Sequence, residues 1–92
     1  MKTEHVDGKG GHTVMLYALS TCVWCRKTKE LLNELGVAYD YAYVDLVPRD
    51  EQSAALAEVG NYNKAGNFPT VVIDGDKVVV GFREKELREA LA

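Results

Sequence analysis

Hydrophobic and polar positions fall into short blocks along the chain, and the period within each block predicts an element. From Met1 to His12 apolar residues are sparse, and Lys, Glu, Asp, three Gly and both His take their place. This stretch predicts a flexible tail, residues 1–12, ahead of one domain spanning 13–92. Thr13 to Ala18 (T-V-M-L-Y-A) is a nearly continuous apolar run, the pattern of a strand covered on both faces. Ser20, Thr21 and Cys22 then precede a segment of strong helix formers with no Gly or Pro until Gly36. Within it Cys25, Thr28, Leu32 and Leu35 recur at helical spacing, Leu31 widens the stripe, and Gly36 suits a left-handed C-terminal cap. Tyr39 to Val44 alternates large and small side chains and predicts a second strand, with Tyr39, Tyr41 and Tyr43 on one face. Strand, helix and strand within about 30 residues form a right-handed crossover, which makes the two strands parallel.

The second half repeats the logic with shorter pieces. Pro48 and Asp50 open a helix over Asp50 to Val59, with Ala54, Ala55, Leu56 and Val59 as its apolar part. Gly60 to Asn67 is turn-forming throughout. After Pro69 the run T-V-V-I predicts a strand, Asp74-Gly75 a hairpin turn, and K-V-V-V its antiparallel return. Gly81 stops that strand, and Glu84 to Leu91 is amphipathic with Leu87 and Leu91 on one side. The expected fold is therefore α/β: a four-stranded mixed sheet flanked by three helices, in the order β-α-β-α-β-β-α.

Composition narrows the function classes. With 92 residues, 47% of them hydrophobic and 27% charged, the chain suits one packed domain rather than a disordered segment. A formal net charge of −3 argues against a nucleic-acid partner, because phosphate binding needs a clustered excess of Lys and Arg. No apolar run approaches the ~20 residues of a membrane span, and the N-terminus lacks the apolar core of a secretion signal, so a membrane partner is not expected and the cytoplasm is the expected compartment. His5 and His12 lie in a segment with nothing to hold a metal geometry, and no metal is expected.

The chemistry sits in the two cysteines, Cys22 and Cys25, spaced C-x-x-C. A zinc site wants four ligands, which the rest of the chain does not supply, so redox exchange is the favoured use of the pair. Cys22 stands where a strand gives way to a helix, and the first-turn N–H groups and helix dipole favour a thiolate there. A thiol of pKa about 8.5 is only about 3% ionised at pH 7, so placement matters to the rate of attack. Cys25, one turn further in, is positioned to resolve the mixed disulfide. Arg26 and Lys27, with Lys29, are cations where the dipole disfavours them; they either stabilise the thiolate or are ordinary exposed helix formers. Trp24 sits between the cysteines as a substrate contact or a surface aromatic. Phe68-Pro69-Thr70 places one of only two prolines just before a strand.

C-V-W-C after an apolar strand, followed downstream by F-P-T-V-V-I-D-G-D-K-V-V-V-G-F, resembles the glutaredoxin family over about Thr13 to Leu91. The resemblance implies a thioredoxin-like fold and thiol–disulfide oxidoreductase activity with no tightly bound cofactor. It further implies a cis Pro69 facing the cysteines, and a Phe68 backbone that pairs with the thiol substrate like an added strand. Tyr17 resembles the aromatic that precedes the motif in related proteins, and it fits equally as a core residue. Glutathione-using members carry Lys where this chain has Leu19, and a different stretch where it has Gly81 to Lys85. Val23 and Gly81-Phe82-Arg83 are instead similar to the ribonucleotide-reductase-associated redoxins, which thioredoxin reductase recharges, although Trp24 departs from that group. Gly81 and Phe82 join the expected substrate surface on this basis. The expected partners are disulfide-containing proteins and a reductant, namely glutathione, another small thiol or a thioredoxin reductase, with the chain acting as a monomer. The rival reading is a carrier holding one [2Fe–2S] cluster between the Cys22 thiolates of two subunits.

Overall fold

The computed structural model describes residues 1–91, so the expected domain end at Ala92 lies outside the described residues. Its strands are β1 (Glu4–Val6), β2 (Val14–Ala18), β3 (Tyr39–Tyr43), β4 (Thr70–Ile73) and β5 (Lys77–Val80), and its helices are α1 (Val23–Leu35), α2 (Gln52–Gly60) and α3 (Glu84–Leu91). They form one mixed sheet in the order β1-β3-β2-β4-β5. β2 and β3 run parallel, as the crossover through α1 requires, and β4 and β5 complete the sheet antiparallel.

The sheet has five strands, which corrects the four expected from the sequence. The added strand, β1, lies inside the segment expected to be a tail and pairs antiparallel with the edge of β3, Glu4 opposite Tyr41 and Val6 opposite Tyr39. E-H-V holds one apolar residue, too little for an alternating signal. The strand is held by its surroundings: the His5 ring is 2.7 Å from Asp40, the Lys9 N–H donates to the Gly36 carbonyl at 2.7 Å, and the Ala38 N–H donates to Lys9 at 3.0 Å. Gly8 allows this approach, since a Cβ there would lie 2.5 Å from the Val37 carbonyl carbon.

Period-two alternation sends β2 side chains to two separate cores. Leu16 and Ala18 meet Leu31 and Leu32 of α1 and Leu87 and Leu91 of α3, whereas Tyr17 faces Ala55 and Val59 of α2. Each fully buried Leu or Val in these layers contributes about 1.5–3 kcal/mol of transfer free energy. The helical stripe read from the sequence is the buried face of α1, and Gly36 caps it at φ 71°. The second helix starts later than expected, because Arg49–Glu51 is a 3-10 turn leading into α2, and Leu56, expected on its apolar part, is 55% exposed.

Candidate active site

The topology assembles the site at one end of the sheet. β2 runs out at Ala18 toward the start of α1, and the antiparallel register that sets Tyr17 opposite Thr70 brings the entry to β4 alongside. The Cys22 loop and the Phe68-Pro69 loop are neighbours for that reason.

Cys22 is the N-cap of α1, with extended backbone (φ −86°, ψ 118°). Its own N–H donates to the Leu19 carbonyl at 3.2 Å, and its carbonyl accepts the first helical bond from Arg26 at 3.1 Å. Its Sγ accepts the Cys25 N–H at 3.2 Å, the bond a capping oxygen would accept. The sulfur thus takes the capping position at the positive end of the helix dipole. Cys25 is buried beneath it, 2% exposed. Burial and the hydrogen bond with Cys22 push the Cys25 thiol well above the usual thiol range, against the lowering effect of the Leu19 backbone. The pair therefore divides into a half-buried sulfur that accepts the Cys25 N–H and a shielded sulfur that holds its proton.

Phe68-Pro69 is a cis peptide bond, as the resemblance implied. The Pro69 carbonyl accepts the Gly81 N–H at 2.8 Å, with Gly81 at φ 83°. The next residue, Phe82, stacks on Trp24 with ring centroids 5.9 Å apart and planes 22° off parallel. Cys22, Phe68 and Phe82 all pack along the fringe of the same core. Cys22, Cys25, Trp24, Phe68, Pro69, Gly81 and Phe82, separated by up to 60 positions, thus share one end of the molecule.

The remaining candidates separate. Tyr17, for which substrate contact and core packing were both open, lies in the core of the opposite face, 4% exposed, stacked on Tyr62 and donating to Glu58 at 2.6 Å. Burial, then the Glu58 bond, push its hydroxyl upward. Arg26 and Lys27 are both exposed. Arg26 lines a cleft of about 200 Å³ that also holds Cys22, Cys25, Ser20, Lys29 and Tyr41, whereas Lys27 does not line it. The Lys29 ammonium lies 4.0 Å from the Tyr41 ring centre, a cation–π contact. A larger cavity of about 400 Å³, bordered by Lys2, Glu4, Leu46 and Glu51, contains neither cysteine.

The pattern of the sequence did not mark Ser20 and Asp45. The N–H of Ser20 donates to Asp45 at 2.9 Å and its hydroxyl at 2.6 Å, which anchors the loop leading into Cys22. Burial opposes it, but these bonds hold the Asp45 carboxyl below its usual value. Among the described residues no three His, Cys, Asp or Glu side chains gather as a metal site; His5 pairs with Asp40 and Asp7, and His12 with Asp74.

Comparison with known proteins agrees with this geometry. The family model described as Glutaredoxin matches residues 14–78. The glutaredoxin from Methanosarcina mazei Go1 has a solved structure that is 48% identical, with a TM-score of 0.88 over 100% of this chain and 89% of that one. Methanoredoxin from Methanosarcina acetivorans is also 48% identical, with a TM-score of 0.82 over 87% of this chain and 84% of its own. An uncharacterized glutaredoxin-like 8.6 kDa protein in the rubredoxin operon of Clostridium pasteurianum is 31% identical over 80% of this chain and 91% of its own length. A cysteine pair at the head of a helix beside a cis proline, on a thioredoxin-like sheet matched by that model, makes this chain a member of the glutaredoxin family, whose general chemistry is thiol–disulfide exchange.

Proposed function

We propose that this protein is a dithiol reductase of protein and low-molecular-weight disulfides. Cys22 as thiolate attacks a substrate sulfur, the substrate S–S bond breaks, and the first substrate thiolate leaves. Cys25 then loses its proton and attacks the Cys22 sulfur of the mixed disulfide. The second substrate thiolate departs, and a Cys22–Cys25 disulfide remains. Two electrons pass to the substrate, and its two thiolates take up protons from the medium. Glutathione, another small thiol or a thioredoxin reductase restores the dithiol. A reducing compartment such as the cytoplasm suits this cycle, and a monomer is sufficient for it.

The observation that carries this reading is the asymmetry of the pair: Cys22 caps α1 and accepts the Cys25 N–H, while Cys25 is 2% exposed. Trp24 and Phe82 form an aromatic wall beside Cys22, and Phe68 offers main-chain groups for a disulfide-bearing peptide to pair with. Arg26 and Lys29 beside the cysteines favour a reductant that carries an acidic group.

Cys22→Ser should abolish disulfide reduction. Cys25→Ser should keep the first attack and accumulate mixed disulfides on Cys22, seen as a mass increase equal to one substrate half. Similar residual turnover in the two variants contradicts the assigned roles. Because Cys25 is shielded, each subunit offers one accessible thiolate, and a brown, iron-containing dimer from anaerobic purification would shift the reading to a cluster carrier. Turnover with glutathione and its reductase, run beside thioredoxin reductase, identifies the electron donor.

A further inference from the structure

The loop between α2 and β4 is exposed from Asn61 to Asn67 except at one residue. Asn63 is 8% exposed, although its neighbours Asn61, Tyr62, Lys64, Ala65, Gly66 and Asn67 are all exposed. Asn seldom sits so deep unless its amide is fully used. Here it is. The Asn63 Nδ2 group donates to the Asn67 carbonyl at 3.0 Å and to the Thr70 hydroxyl at 3.2 Å, and its Oδ1 accepts the Ala65 N–H at 3.2 Å. Thr70, fully buried, donates its hydroxyl to the same Asn67 carbonyl at 2.7 Å.

Two side chains thus grip one carbonyl, and that carbonyl belongs to the peptide unit preceding Phe68. In a trans peptide the C=O and the following N–H point in opposite directions, so fixing the Asn67 oxygen inward fixes the Phe68 N–H outward. Among the described residues neither the N–H nor the C=O of Phe68 has a hydrogen-bond partner within the protein. A main-chain edge that is held but unsatisfied is a template for an added strand.

We infer that Asn63 and Thr70 are positioning residues that aim the free Phe68 main-chain edge at the backbone of a peptide disulfide, so that they set selectivity for amide-bearing disulfides over those without an amide. This rests on the proposed exchange at Cys22. It adds a means by which the protein distinguishes disulfides of equal reactivity.

The test measures single-turnover reduction by the fully reduced protein of two compounds: a disulfide of acetylated, amidated cysteine tripeptides, and 2-hydroxyethyl disulfide, which has no amide. Asn63→Asp, which keeps the shape and the acceptor but removes both donors, and Thr70→Val should each slow the peptide disulfide by about fivefold, the effect of one lost hydrogen bond. Both should leave 2-hydroxyethyl disulfide within twofold, and Thr70→Ser, which restores the hydroxyl, should recover the peptide rate. Equal slowing of both disulfides in Asn63→Asp and Thr70→Val would overturn the inference, as would unchanged peptide rates or failure of Thr70→Ser to recover. A variant that does not fold at all also counts against it, because the amide would then serve the fold rather than the edge. Cys22→Ser run on 2-hydroxyethyl disulfide separates the two claims: activity surviving there sinks the exchange reading itself, whatever the clamp variants do.

Discussion

At Cys25 two effects act in the same direction: burial removes water from a would-be thiolate, and the hydrogen bond with Cys22 keeps the proton in place. The Cys25 thiol is therefore expected to stay protonated through neutral and mildly alkaline pH, while Cys22 stands at the helix mouth. Iodoacetamide added to the reduced protein should modify Cys22 and leave Cys25 unlabelled over that range, as read by peptide mass mapping. Comparable labelling of both cysteines in the folded protein would falsify the division of roles. The placement of the two sulfurs, one at the cap and one buried a turn further in, was legible in the sequence because only one of them can be a cap. Tyr17 was not legible to the same degree. A tyrosine at the end of a strand suits either face, and only the register against β4 and the Glu58 partner place it in the α2-side core. Asn63 was read as turn material, since a single polar residue in a polar loop carries no pattern, and its burial arises from Asn67 and Thr70 further along the chain.

Elements with their own periodic signal were readable, and elements assembled by their partners were not. α1 and α3 appear where the apolar stripe put them, and α1 ends at Gly36 for the expected reason. β1 had no signal because its stability is borrowed from β3, and part of that support is ionisable. The hydrogen bond that the His5 ring makes to the Asp40 carboxylate raises the His5 pKa above its reference value of 6.5; desolvation opposes it, and the charges of Asp40 and Asp7 add to the rise. A group whose folded pKa is raised contributes fully below its unfolded value and loses that contribution as pH rises through the folded one. Hydrogen exchange at the β1 amides should accordingly quicken as pH climbs past about 6.5, beyond the ordinary base-catalysed increase. In Asp40→Asn this additional step should shrink, leaving only what Asp7 contributes. An additional step of the same size in that variant would mean that the His5–Asp40 pair is not what ties β1 down.

Across the whole molecule, the sheet separates two cores that share little besides the strands between them. Val79 of β5 belongs to the layer under α1 and α3, Val59 belongs to the layer under α2, and both are 1% exposed. Phe68 packs at the margin of both layers, so the substrate loop is seated on the two cores at once. Removing two buried methyl groups costs about 0.8 kcal/mol each in transfer free energy plus a cavity contribution, so Val79→Ala and Val59→Ala should each destabilise by about 2 kcal/mol in urea unfolding. Val79 points into the layer on one face of the sheet and Val59 lies in the layer on the other, so the double variant should be additive within about 0.5 kcal/mol. A domain of this size has about 5–14 kcal/mol of stability to lose, which keeps the double variant folded enough to measure. If the double variant instead falls short of the sum by more than 1 kcal/mol, the two layers are coupled through the sheet. In that case the Phe68 loop, resting on both, should show altered reactivity toward peptide disulfides when either core is loosened. Additivity, with Cys22 alkylation unchanged in both single variants, means that the site draws its rigidity from local hydrogen bonds at Cys25, Gly81 and Ser20, and that core packing sets only how long the domain stays folded.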